Sequence, residues 1–305
     1  MNREGNINIK VQNRIENFNE APPRVSEFQR FRRVFFGRPV VIVGFSIILL
    51  LILIAIFAPL IAPYDPYQQN LAIALQHPSA HHWLGTDEFG RDILSRVIYG
   101  SRVSLEVGII AILVASAIGV TLGSLSGYFG GWLDMVIMRI IDSMMAIPSL
   151  VLALVFAAVM GGGLRNIMIA VGVSLVPTYA RLMRSQVLAA KQIDYITAAH
   201  SIGGSDLRII IKHILPNCLS PLIVLVTMNL GTAILSEAGL SFIGVGIPPP
   251  GAAWGSMVNS GYTFLLTNPV MSIAPGLCIM LVVLSFNMVG DGLRDALDPR
   301  LRGTL

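Results

Sequence analysis

His77, His81 and His82 crowd into one short stretch of this 305-residue sequence, and imidazoles so close together could hold a divalent metal. No cysteine or acid falls at ligand spacing from them, so they read as solvated loop side chains and no metal ligand is assigned. Cys218 and Cys278 both fall in apolar stretches, which predicts two buried thiols without a disulfide. Hydrolysis would need a device such as HExxH, GxSxG or the phosphate-cradling GxxxxGK[ST], and none is present, so no catalytic residue is assigned. What remains is a polar island at residues 194–217, "DYITAAHSIGGSDLRIIIKHILPN". Its acids, bases, histidines and Gly-Gly pair run straight into an apolar span.

The elements that must position this island are greasy. The chain is 54% hydrophobic and 12% charged, with a mean hydropathy of +0.72, whereas soluble domains carry about 25% charged residues. That places it in a bilayer and makes length a matter of spans of about 20 apolar residues. Six stretches qualify, at 39–63, 107–129, 143–163, 166–184, 214–235 and 270–289, so the expected fold is an all-α membrane protein with six transmembrane helices. The first would extend about 37 Å as a helix, enough to cross with tilt. About forty polar residues precede it, too many and too mixed for a cleaved signal, so it is expected to stay in the mature protein.

Orientation follows from the basic residues. With the N-terminus inside, only Arg91, Arg96, Arg102 and Arg165 of the 21 lysines and arginines fall on the outer side, a strong positive-inside bias. Both termini and the polar island are therefore expected in the cytosol. The basic residues sit between spans rather than on one globular face, so the pI near 9.3 does not indicate nucleic acid.

Within the spans, Ala111, Ala115, Gly119, Gly123 and Gly127 recur every fourth residue. Small residues at this spacing let helix backbones approach closely, against a helix of the same chain or of a partner subunit. No span holds an ionisable group beyond its edges, unlike ion-coupled carriers, so driving energy is expected from elsewhere. Polar groups such as Asn217, Ser220, Asn229 and Asn287 either line a pathway or bond between helices. The segment 236–269, free of lysine and arginine and carrying Trp254 and Tyr262, reads as a partner surface or as a proline-rich cap.

The island itself predicts an elbow. Residues 193–201 read as a short helix with Ala198 and Ala199 on one side, and Gly203-Gly204 breaks it. Ser205 or Asp206 can cap a second helix with an apolar stripe at Leu207, Ile210, Ile211 and Ile214, and Pro216 interrupts the hydrogen bonding at the start of the fifth span. Such an elbow either lies on the membrane surface or receives motion from a cytosolic partner.

Thr197-Ala198-Ala199, Gly203 and Leu215-Pro216 resemble the "EAA" loop of permease subunits in ATP-binding cassette (ABC) importers, with Thr197 in place of the glutamate and His213 in place of an isoleucine. "HWLGTDEFGRDILSRVIYGSRVSL" (82–105), "LSFIGVGIPPPGAAWGSM" (240–257) and "FNMVGDGLRDALDPRLRG" (286–303) are similar to the dipeptide/oligopeptide permease branch, specifically its second, C-type subunit.

The resemblance implies a type I ABC importer permease fold with a cytosolic coupling helix between the fourth and fifth spans. It further implies that Tyr195, Thr197, Ala198, Ala199, Ile202, Gly203, Asp206, Leu215 and Pro216 form the contact through which the ATPase acts. The chain would divide into a cytosolic tail (1–38), a first span (39–63), an external loop (64–101), a permease domain (102–291) and a C-terminal tail (292–305). Implied partners are a second homologous permease, two cytosolic ATP-binding subunits that carry ATP and Mg, an extracytoplasmic solute-binding protein and membrane lipid. The implied setting is the bacterial inner membrane, and the implied cargo is a di- or oligopeptide, glutathione or nickel.

Overall fold

The structure is a computed structural model that describes residues 27–297. Residues 1–26 and 298–305, the outer parts of both expected tails, lie outside the described residues. The inner part of the first tail is helical: α1 (Glu27–Phe36) stacks Phe31 on Phe35 and packs on the membrane helix that follows and on the last one, around Val41, Val289 and Ala296. An ion pair between Arg38 and Asp295 joins the same two ends of the chain.

Helix α2 (Pro39–Ile61) follows the first apolar stretch closely, with Pro39 at a position where a missing N–H costs nothing. Helix α3 (Ile93–Phe129) starts well before the expected residue 107. Arg96, Arg102 and Glu106 in its first turns hid that start from a reading of apolar runs. The carboxylate of Asp92 caps it by accepting from the Ser95 N–H at 2.8 Å. Residue 102 therefore falls inside a helix.

The expected third span, 143–163, is not one helix. Helix α4 (Gly131–Met145) and helix α5 (Ser149–Met160) meet at 95° across a break of residues 146–148. Pro148 explains the break, because it lacks an N–H and its ring disfavours helix in the preceding residue. Helix α6 (Leu164–Ala190) extends the fourth stretch at both ends. Helix α7 (Asp194–Ser201) and helix α8 (Asp206–Phe242) enclose the Gly-Gly break, and α8 begins eight residues ahead of the expected fifth span. A short helix α9 (Trp254–Tyr262) precedes α10 (Val270–Leu297).

Among the described residues, α2, α3, α6, α8 and α10 are long and apolar enough to cross a membrane, and the bent pair α4–α5 adds one more if it counts as a single span. The small-residue stripe resolves to a contact within the chain. A Cβ on Gly119 would stand 2.5 Å from Tyr179 Cβ, and one on Gly127 would stand 2.9 Å from Arg184 O, so α3 and α6 pack backbone to backbone. Ala111 and Ala115 are fully buried at the same seam, and Gly172 of α6 answers from the other side. Below the stripe, Asp134 of α4 accepts two hydrogen bonds from Arg184 of α6, at 2.6 and 2.7 Å.

Candidate coupling site

The elbow is built by glycine chemistry and a change of helix type. Gly203 adopts φ +79°, and its N–H and that of Gly204 return to His200 O at 2.9 Å and Ala199 O at 3.0 Å, closing the C-terminus of α7. Ser205 occupies the cap of α8 without a side-chain capping bond. Residues Ile210–Ile214 then form a π turn, and the Leu215 N–H donates to Ile210 O. Pro216 therefore does not break α8, because the wider turn absorbs its missing donor. The Asn217 amide takes up His213 O at 2.5 Å and donates to the Tyr195 hydroxyl at 2.5 Å, which locks α7 onto α8.

The buried face of the elbow is only partly the expected one. Of the expected stripe, Ile210 and Ile214 are buried, together with Ile209, against Ile196, Met183 and Val187, whereas Leu207 and Ile211 are exposed. Leu207 sits in the first turn of α8, at the exposed tip beside the Gly203-Gly204 break, and Ile211 lies within the wider π turn, where a 3.6-residue period does not hold.

The elbow therefore has two unlike faces. Ala199 and Leu215 are part of the packed inner side. Thr197, Ala198, Gly203 and Pro216 lie on the exposed side with Ile202, 86% exposed, and Leu207, 68% exposed. Asp206 turns inward to Tyr128 at the end of α3, whose hydroxyl donates to Asp206 Oδ1 at 2.7 Å and stands 3.0 Å from His200 Nε2. Tyr128 was missed by sequence reasoning; its one signal is its place in "GYFGG", where an apolar helix gives way to paired glycines.

The opposite end of the bundle corrects further expectations. His82 is buried and its Nδ1 lies 2.9 Å from Asp92 Oδ1, so it is not a solvated loop residue; His77 and His81 are exposed. Trp254 is buried rather than a surface residue, its indole N–H donating to Val97 O at 2.9 Å and its ring filling the space over Gly100. Arg91 donates to Asp87 Oδ2 at 2.6 Å, and Arg96 donates to Pro66 O, Pro250 O and Gly251 O at 2.9, 3.3 and 3.1 Å. Both guanidinium groups are almost wholly buried. Glu237, assigned by the sequence to an external loop, lies fully buried in α8 with Oε1 accepting from Ser241 at 2.6 Å.

Of the polar residues expected within the spans, Ser220, Asn229 and Asn287 are all half-buried. The Asn229 amide of α8 and the Tyr179 hydroxyl of α6 stand near one another without forming a well-shaped hydrogen bond. Cys218 is buried and Cys278 half-buried, both as free thiols.

Residues 119–303 match a family described as "Binding-protein-dependent transport system inner membrane component", and residues 26–78 match "N-terminal TM domain of oligopeptide transport permease C". The "Dipeptide transport system permease protein DppC" of Alkalihalophilus pseudofirmus is 49% identical over 261 residues, 86% of each chain. The "Glutathione transport system permease protein GsiD" of Pectobacterium atrosepticum is 44% identical over 276 residues, 90% of this chain and 92% of that one. Among solved structures, the MetNI methionine ABC transporter in inward-facing conformations superposes with a TM-score of 0.55 at 20% identity, covering 68% of this chain and 98% of its own. That likeness shows the fold to be that of a type I ABC permease. The chain is thus a multi-pass inner-membrane transport permease rather than an enzyme, and it belongs to the binding-protein-dependent transport system inner membrane component family, in the dipeptide/oligopeptide branch of ABC importers.

Proposed function

We propose that this permease forms one membrane half of an ATP-driven importer of di- or oligopeptides, with its elbow seated in a groove of a cytosolic ATPase. The observation that carries the reading is the two-faced elbow: Ile202 and Leu207 stand exposed on a turn whose other side is packed into the bundle. An apolar tip held on a rigid base suits a partner surface that pushes it. The bent pair α4–α5 supplies the sixth crossing, since α5 alone, at about 18 Å, is shorter than a bilayer core. The distribution of lysine and arginine supports cytosolic termini and a cytosolic elbow.

In this reading ATP and Mg sit on two ATPase subunits, a second homologous permease completes the pathway, and a solute-binding protein delivers cargo from outside. Tyr195, Thr197, Ala198, Ala199, Ile202, Gly203, Asp206, Leu215 and Pro216 form the lever. ATP binding closes the ATPase pair, the elbow moves with it, and α4 to α10 switch from inward- to outward-facing. Carrying such an equilibrium from 1:99 to 99:1 requires a bias of about 5.5 kcal/mol, which a floppy tether would dissipate. Asn229, beside Tyr179, lines the pathway ahead of Ser220 and Asn287, because an unpaired amide and phenol inside a bundle are poised for a polar cargo.

The higher identity to a dipeptide permease favours a dipeptide, and the glutathione permease at 44% identity keeps glutathione, itself a peptide, as the second reading. The reconstituted complex is expected to take up labelled dipeptide in an ATP-dependent manner. Uptake of glutathione or nickel alone would replace that cargo.

A further inference from the structure

We propose that Tyr128 is the positioning residue that fastens the elbow to the moving bundle, so that a push on the elbow turns α3 and α6 instead of being lost at the joint. This rests on the reading that the ATPase acts on the elbow.

Tyr128 lies one residue from the end of α3 and is 5% exposed. Its hydroxyl donates to Asp206 Oδ1, at the start of α8, and can accept from His200 Nε2 on α7 in the tautomer protonated there. The rings of Tyr128 and His200 stack, with centroids 5.9 Å apart and planes 18° from parallel. From just beyond α6, Lys191 Nζ donates to Tyr128 O at 2.6 Å and lies 5.6 Å from the ring centroid. One residue is thus bonded to α7, to α8 and to the C-terminal end of α6.

Among the described residues, no other polar tie does this. Among these residues, the hydrogen bonds between the elbow and α3 run through Tyr128, whereas the Tyr195–Asn217–His213 lock stays within α7 and α8. The rest of the joint is apolar, through Ile196, Ile209 and Ile210 against Met183 and Val187. Apolar contact is non-directional and lets packed surfaces slide, while hydrogen bonds fix angle and register. Only a hydroxyl on a rigid ring can donate to the acid and accept from the histidine at once. Behind the joint, the α3–α6 seam at Gly119, Gly123 and Gly127 carries the motion along the bundle.

The test uses the full complex, with its ATPase subunits and binding protein, in proteoliposomes with labelled dipeptide. The quantity read is dipeptide imported per ATP hydrolysed, per assembled complex. Tyr128→Phe is expected to lower this ratio by about ten-fold or more, the effect of losing a hydrogen bond to a charged group. Adding Asp206→Ala to Tyr128→Phe is expected to lower it no further, because both remove the same bond. A merely structural role would reduce the number of complexes but not the ratio.

A ratio within about two-fold of wild type, or losses that multiply in the double variant, would overturn the assignment. If Tyr128→Phe does not assemble, Asp206→Ala and His200→Phe at the elbow surface ask the same question, and an unchanged ratio in both has the same consequence. In parallel, Ile202→Cys reports docking by crosslinking to the ATPase. A crosslink with an unchanged ratio in Tyr128→Phe sinks the tie alone, and no crosslink even with Tyr128 in place sinks the docking reading beneath it.

Discussion

Two polar islands stand at opposite ends of this greasy chain, and they are satisfied in opposite ways. At the loop end, Asp87, Arg91, Arg96, His82 and Asp92 are buried and bonded to each other, to backbone carbonyls and to the start of α3. At the elbow end, Tyr128 ties Asp206 and His200 to α3, Asn217 ties α7 to α8, and Ile202 and Leu207 are left facing out. A network that closes on itself spends its hydrogen bonds on stability, whereas an apolar tip over a bonded base offers a surface to something else. The loop end is therefore a cap that holds the neighbouring loop segments onto α3, and the elbow keeps open the face that the proposed docking requires.

Substitutions should separate stability from transport along the same line. Arg96→Met should have the largest effect on folding, about 3–5 kcal/mol, because it strips a buried charge from Asp87 and leaves the carbonyls of Pro66, Pro250 and Gly251 without donors. Thermal unfolding of the purified permease would show it, and an unchanged midpoint would break the contrast. Gly119→Val, at the seam between the two ends, should cost about 1–3 kcal/mol by overpacking against Tyr179 and Val176. Denaturant-induced loss of helicity in mixed micelles would measure that.

At the elbow, Gly203→Ala should cost only about 1–2 kcal/mol, from the positive φ rather than from any clash, since nothing lies within 4 Å of the added methyl. Its signature should be a fall in uptake larger than the fall in assembled complex. Ile202→Asp should be smallest in stability, within about 0.5 kcal/mol, because the side chain touches so little of its own chain.

The two ends were not equally legible in the sequence. The elbow was, because paired glycines, a proline and an abrupt change of composition are local signals. Its inner face was legible only in part: Ile210 and Ile214 are buried as the stripe requires, but Ile209 is buried while Leu207, at the exposed tip, and Ile211, inside the π turn, are not. The loop end was almost invisible. His82 meets Asp92 ten residues on, Arg96 meets Gly251 across 155 residues, and Trp254 needs Gly100 for room; these pairings exist only once the chain is folded. Apolar runs placed α2 and α10 well, and failed at α3, whose first turns carry charge, and at α4–α5, where Pro148 splits the run. Glu237 escaped because the fifth apolar run ended just short of it, although α8 continues to Phe242.

On the proposed reading, the elbow's exposed face works only through a partner. The most direct measurement of that claim is ATP-driven uptake of labelled dipeptide by proteoliposomes carrying Ile202→Asp, beside the unfolding midpoint of the same preparation. A charge at the tip is expected to abolish uptake while leaving the midpoint where it was. Undiminished uptake with an unchanged midpoint would contradict the account.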